Sequence, residues 1–169
     1  WIIKKRIHQI KLFINHPHEV QEELRQSLVD KAKNTDFGRT YDFNSIKNQN
    51  DFSERIPLHH YEDLEPYIYR MRSGEQNILW PSKIKWFAKS SGTTNNKSKF
   101  IPVSNDAIED CHYKGGKDLL SIYCNNYSAK NIFIGKSLML GGSHQMSPLS
   151  DSMFEGDLSA IIVENLPFW

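Results

Sequence analysis

Apolar and polar positions alternate first in a helical rhythm. Ile3, Ile7, Ile10 and Phe13 or Ile14 recur at the spacing of one helix face, with lysine and histidine between them. Pro17 suits the first turn of a second helix, whose stripe would run through Val20, Leu24, Leu28 and Ala32. Glu19, Glu22 and Glu23 crowd the start of that helix and Lys31 and Lys33 its end, which complements the helix dipole. The helical opening ends near Asn34, ahead of Asp36-Phe37-Gly38.

Residues 38–75 read as short pieces. Asn44 can cap one brief helix and Ser53 another, and 61–71 carries Tyr61, Leu64, Ile68 and Met71 at helical intervals. Residues 84–88, Ile-Lys-Trp-Phe-Ala, alternate and are rich in aromatics, so they predict a strand. Residues 99–103 predict a second extended segment, which Pro102, having no N–H, confines to an edge or an end. Ser104 or Asn105 then caps a long helix to about Tyr123, built on Ile108, Cys111, Leu119, Leu120 and Ile122 and weakened by Gly115-Gly116. Residues 137–140 make a short apolar strand closed by Gly141-Gly142, and 157–163 fit helix or strand equally. No internal repeat or low-complexity tract interrupts this α/β pattern.

Composition adds exclusions. The 169 residues are enough for a proper core. A net charge of +1 and a pI of about 7.9 give no pull toward nucleic acid or an anionic membrane. Apolar runs reach only about five residues, against the roughly 20 that span a bilayer. Lys4-Lys5-Arg6 leads into a segment too polar for a secretory signal, which points to the cytoplasm. Cys111 and Cys124 form no CxxC pair, so they are expected as reduced, half-buried thiols. The chain opens on Trp1 and closes on the apolar Leu166-Pro167-Phe168-Trp169, as expected of a piece of a longer protein.

The densest chemistry lies between the two predicted strands, in Ser90-Ser91-Gly92-Thr93-Thr94-Asn95-Asn96-Lys97-Ser98-Lys99. Backbone N–H groups, hydroxyls and an ammonium in one loop suit a polyphosphate, and so point to ATP. The common nucleotide loop G-x-x-x-x-G-K-[ST] is a poor fit. Gly92 and Lys97-Ser98 are present, but the second glycine is missing, and the segment leads into Phe100-Ile101-Pro102-Val103 rather than a helix. The same residue types also furnish an ordinary exposed hairpin turn, and that alternative stays open.

The arrangement resembles the hydroxyl-rich hairpin of adenylate-forming enzymes. By that resemblance Gly92 lets the backbone approach the phosphates, and Ser90, Ser91, Thr93 and Thr94 donate hydroxyls. Asn95 and Asn96 take left-handed angles where glycine is frequent. Lys99, the expected catalytic residue, neutralises charge on the departing pyrophosphate. Lys97 reads as a solvated charge.

A narrower resemblance extends from about Phe37 to the end. Asp51-Phe52, Ile56-Pro57-Leu58, Tyr61-Glu62-Asp63, Gly74-Glu75 and the loop itself are similar to the auxin-responsive Gretchen Hagen family of acyl-acid amido synthetases, in a bacterial form; the "GGSH" and "GDLSAIIVENLPFW" segments match more loosely. Gly92 to Lys99 spans eight residues, one longer than the Gly-Thr-Thr-Gly-x-Pro-Lys form of acyl-CoA synthetases, and the longer loop is that of the amido synthetases. Asn96 departs from the family, which more often has glycine there.

The resemblance implies a ligase that uses ATP and Mg2+ to activate a small carboxylic acid as an acyl-adenylate and then joins it to an amino acid. It implies a luciferase-like fold, with 1–36 a helical segment and 37–169 the beginning of the large adenylation domain. The adenine-binding and metal-handling residues would lie elsewhere, so the piece alone is expected to be inactive. The rivals are an acyl-CoA synthetase type of ligase and a non-catalytic α/β interaction scaffold.

Other residues weigh less. His16, His18, His59, His60 and His144 lack metal-binding spacing and read as surface or capping groups. Gly141-Gly142-Ser143-His144 could line a pocket or form a plain turn. The aromatics of 61–69 and Trp80 are expected as packing.

Overall fold

The computed structural model describes residues 2–90, 98–127, 134–136, 138 and 145–166. The helices are α1 (Ile2–Asn15), α2 (Pro17–Ala32), α3 (Asp36–Thr40), α4 (Gln49–Arg55), α5 (Tyr61–Arg72), α6 (Asn105–Ala107), α7 (Lys114–Asn126) and α8 (Leu158–Glu164). A 3₁₀ turn covers Phe43–Ser45, and a π-helical segment, Ile108–Tyr113, joins α6 to α7. The strands are β1 (Trp86–Lys89), β2 (Phe100–Val103), β3 (Met146–Ser150) and β4 (Met153–Gly156). The helical opening, the strand after 84 and the return strand after the loop match the expectation.

The chain forms two compact units. The first comprises residues 1–21 and 106–140. Within it α1 lies against α7, and Arg6 forks onto both carboxylate oxygens of Asp118, with Nη2 to Oδ2 at 2.8 Å. That carboxylate raises the Arg6 pKa chiefly through its hydrogen bond. Gly115-Gly116 stay inside α7, and the irregularity comes just before them: the Lys114 N–H reaches back to the Glu109 carbonyl, a π-type bond. Cys111 is exposed and only Cys124 is half-buried, so the expected symmetry of the two thiols does not hold.

The second unit comprises 22–105 and 141–169. Its sheet has the order β2-β1-β4-β3: β1 runs antiparallel to β2 and parallel to β4, and β3 and β4 form a hairpin. Pro102 sits on the edge strand β2, where a missing N–H costs no ladder bond. The β3–β4 hairpin is absent from the sequence reading. Pro148 and two serines disguise β3, and the parallel pairing of β4 with β1 is long-range.

The main core joins α5 to the sheet: Ile68 and Met71 pack with Ile84, Phe87, Ile78 and Met153, all nearly inaccessible. A second cluster gathers Val29, Ala32, Phe43 and Ile46, with half-buried Trp80 touching both. The stripe expected on α2 is displaced. Leu24 and Leu28 are exposed, and the inner line runs through Arg25, Gln26, Val29 and Ala32. The reason is polar: Arg25 binds Glu22 and the Lys47 carbonyl, and Gln26 reaches the Ile46 carbonyl.

Two cap positions also shift. Asn48, not Ser53, caps α4, its Oδ1 accepting the N–H groups of Asn50 and Asp51. Ser53 lies inside that helix and donates to the Gln49 carbonyl. Asn44 falls within the 3₁₀ turn. Residues 158–164 resolve the open alternative as helix. The strand expected over 137–140 falls, apart from Leu138, outside the described residues.

Candidate functional site

The ends of the hydroxyl-rich loop are held by β1 and β2. The Ser90 N–H donates to the Lys99 carbonyl at 2.9 Å, and Ser90 Oγ accepts the Lys99 N–H at 3.0 Å. Ser90 thus closes the hairpin with its backbone and its side chain together. Ser90 and Lys99 are therefore brought to one place. Ser91, Gly92, Thr93, Thr94, Asn95, Asn96 and Lys97, and also Gly141-Gly142-Ser143-His144, lie outside the described residues.

Helix α5 supports this hairpin. Its start is set by Asp63, whose carboxylate accepts the His60 N–H at 2.7 Å. Its end is set by Gly74 at φ +104°, with the Gly74 N–H on the Met71 carbonyl and the Glu75 N–H on the Arg70 carbonyl. Arg70 then ties this end to Glu75 and Asp36, which hold its pKa well above the ordinary guanidinium value.

The first residue of α5 makes the decisive contact. Tyr61 Oη accepts the Phe100 N–H at 2.8 Å and lies 3.3 Å from the Phe100 carbonyl, to which it donates. The Lys99 ammonium lies 3.2 Å from Glu62 Oε1 and 4.9 Å from the centre of the Tyr61 ring. Glu62 is held below its ordinary carboxyl pKa, first by its own backbone N–H and then by Lys99.

Beside this lies an open cleft of about 390 Å³. Tyr61, Glu65, Ile68, Tyr69 and Arg72 line it from α5, and Lys89, Ser98 and Phe100 from the hairpin. Arg72 lies 3.7 Å over the Phe100 ring and pairs with Glu155 of β4. Two cations beside the loop base, Lys99 and Arg72, are thus each already paired with a carboxylate, Glu62 and Glu155, so an anion would bind there in competition with those carboxylates.

Several readings change here. Tyr61 is more than packing, because its hydroxyl holds the backbone next to Lys99; Tyr69 is exposed at the cleft, whereas Tyr67 and Trp80 pack as expected. Glu62, Arg72 and Glu155 carry no signal of their own in the sequence, although Tyr61-Glu62-Asp63 stands out as a motif without a stated role. His59 packs edge-on against Phe37 and Tyr41. Among the described residues no group of His, Cys, Asp and Glu could hold a metal ion, and no helix is long and apolar enough to cross a membrane.

Known proteins resemble this chain in sequence and in fold. Residues 6–169 match the GH3 family N-terminal domain. A jasmonoyl–L-amino acid synthetase of Nicotiana attenuata, JAR4, is 30% identical over 104 residues, 61% of this chain and 18% of that protein. The indole-3-acetic acid-amido synthetase GH3.2 of Arabidopsis thaliana is 27% identical over 106 residues, 62% of this chain and 19% of its own length. Among solved structures, a GH3.15 acyl acid amido synthetase superposes with a TM-score of 0.76 at 19% identity, covering 94% of this chain and 28% of that one. An AtGH3.15 acyl acid amido synthetase in complex with 2,4-DB gives a TM-score of 0.74 at 19% identity, over 88% of this chain and 26% of that one. The chain thus spans about a fifth of the length of these curated relatives. Its α/β fold, with a mixed sheet that includes the β1–β2 hairpin, is that of the N-terminal region of these amido synthetases, and the chain belongs to the GH3 family.

Proposed function

We propose that the full-length protein is an ATP-dependent acyl-acid amido synthetase and that this chain contributes its phosphate-binding hairpin. In the first half-reaction a small carboxylate attacks the α-phosphorus of MgATP, giving an acyl-adenylate and pyrophosphate. In the second an amino acid's amine attacks the acyl carbon, giving the amide and AMP. Residues 1–36 serve as a helical opening and 37–169 as the start of the large adenylation domain.

The observation that carries this reading is the closure of the hairpin at Ser90 and Lys99, with an ammonium at its mouth. Both residues suit a triphosphate: a serine that fixes the turn, and a half-exposed lysine whose charge can follow the leaving group. By the same proposal the residues from Ser91 to Asn96 also take part in binding phosphate, the serine and threonines through their hydroxyls. Mg2+ enters with the nucleotide and neutralises part of its charge; the described residues offer it no cage of their own. Residues for adenine and for the acyl acid come from the rest of the protein, so the 169-residue chain by itself is inactive.

Lys99→Ala tests the assignment. In the full-length protein it lowers ATP–pyrophosphate exchange about 10²–10³-fold, the usual loss for one transition-state donor. Unchanged exchange would remove Lys99 from the reaction, and exchange by the isolated chain would overturn its inactivity. Release of AMP with a thiol rather than an amine as acceptor would instead identify an acyl-CoA ligase.

A further inference from the structure

We propose that Glu62 is a positioning residue of this site: its carboxylate is the resting partner of the Lys99 ammonium and yields it to the triphosphate, so that Glu62 sets the affinity for ATP. The inference rests on the assignment of Lys99 above.

The first turn of α5 holds the hairpin in two unlike ways. Tyr61 takes the backbone of Phe100 through the N–H at 2.8 Å and the carbonyl at 3.3 Å. Glu62, the next residue, takes the neighbouring side chain through its charge, 3.2 Å from the Lys99 ammonium. The Tyr61 ring lies under the same ammonium at 4.9 Å and adds its own attraction.

The two holds differ in strength for a physical reason. The backbone contact lies in a part-buried place, so releasing it would strand polar groups. The ion pair is open to water, with the lysine side chain 37% and the glutamate side chain 63% exposed. Exposed pairs of this kind bias an equilibrium by only about two- to fivefold. One carboxylate brings a single negative charge, and a triphosphate brings several. The ammonium therefore changes partner readily, while the backbone that carries it stays in register. Lysine suits such a transfer, being a point charge with three donors on a flexible stem.

The test follows ATP–pyrophosphate exchange in the full-length protein as MgATP is varied at low salt. Glu62→Gln removes the charge, keeps the shape at an exposed position, and lowers KM for ATP about two- to fivefold. The change falls on KM rather than kcat and fades at high salt, where exposed charges are screened. In a Lys99→Ala background the same substitution leaves KM unaltered. An unaltered KM in the Glu62→Gln protein, or an equal shift with and without Lys99, would overturn the proposal while leaving the role of Lys99 intact. Full exchange by Lys99→Ala alone would overturn the Lys99 assignment and this inference with it.

Discussion

Phe87 on β1 and Leu119 on α7 are both large and apolar, yet Phe87 is 0% exposed and Leu119 is 71% exposed. The contrast extends to the units they belong to. In the sheet unit, helix α5 covers one face of the strands and Met71, Ile84 and Ile78 share the interior with Phe87. In the helical unit, Leu12, Phe13 and Ile14 of α1 and Leu120, Ile122 and Tyr123 of α7 all remain in contact with water. There a charged tie joins α1 to α7, with Arg6 clasping Asp118 and lying 5.3 Å over the Phe13 ring. Helical periodicity thus marks a face that asks for cover without saying whether the cover comes.

The largest expected effect breaks the sheet unit. Phe87→Ala costs about 3–5 kcal/mol, the usual loss for an aromatic deleted from a closed core. Leu119→Ala changes stability by no more than about 0.5 kcal/mol, because no packing is lost. Urea unfolding of the two variants checks the pair, and equal losses would erase the distinction between the units. A smaller effect belongs to the charged tie. Arg6→Met costs about 1 kcal/mol, as expected for a forked, part-buried arginine–carboxylate pair, and the loss shrinks as salt is added.

The smallest effect sharpens the site. Glu62 titrates below the ordinary glutamate value of 4.5, and Lys99→Ala moves it upward but only part of the way, because the glutamate's own N–H contributes first. Carbon-13 NMR of the Glu62 carboxyl follows this directly. A carboxyl depressed by folding stabilises the fold above its unfolded pKa, and that contribution fades as pH falls through the folded value. Acidification therefore loosens the hold on Lys99, and a titration unaffected by Lys99→Ala would show the pair to be idle.

Local signals made the hairpin and its supports legible. Aromatic alternation before the loop, Pro102 after it and the Tyr61–Met71 spacing each depend on neighbouring residues alone, and each corresponds to an element of the structure. What stayed hidden depends on distant partners. Arg25 turns inward because Glu22 and the Lys47 carbonyl receive it, which moves the buried face of α2 away from Leu24 and Leu28. Short, polar β3 and four-residue β4 become strands because β1 offers β4 an edge. Tyr61 reads as one more core aromatic until its hydroxyl is seen on Phe100. Glu62 stands out only as part of Tyr61-Glu62-Asp63, because its partner Lys99 is distant in the sequence.

The π segment, Ile108–Tyr113, amounts to one residue of surplus winding within a continuous rod. A helix advances about 100° per residue, so every side chain downstream points about 100° away from where an uninterrupted α-helix would aim it. Asp118 is downstream, and its meeting with Arg6 depends on that added residue. The alignment of the two helices is thus written in the number of residues between 108 and 113 more than in their identity. Shortening the stretch by one would swing the carboxylate aside, whereas exchanging one small side chain for another would leave the clasp where it is.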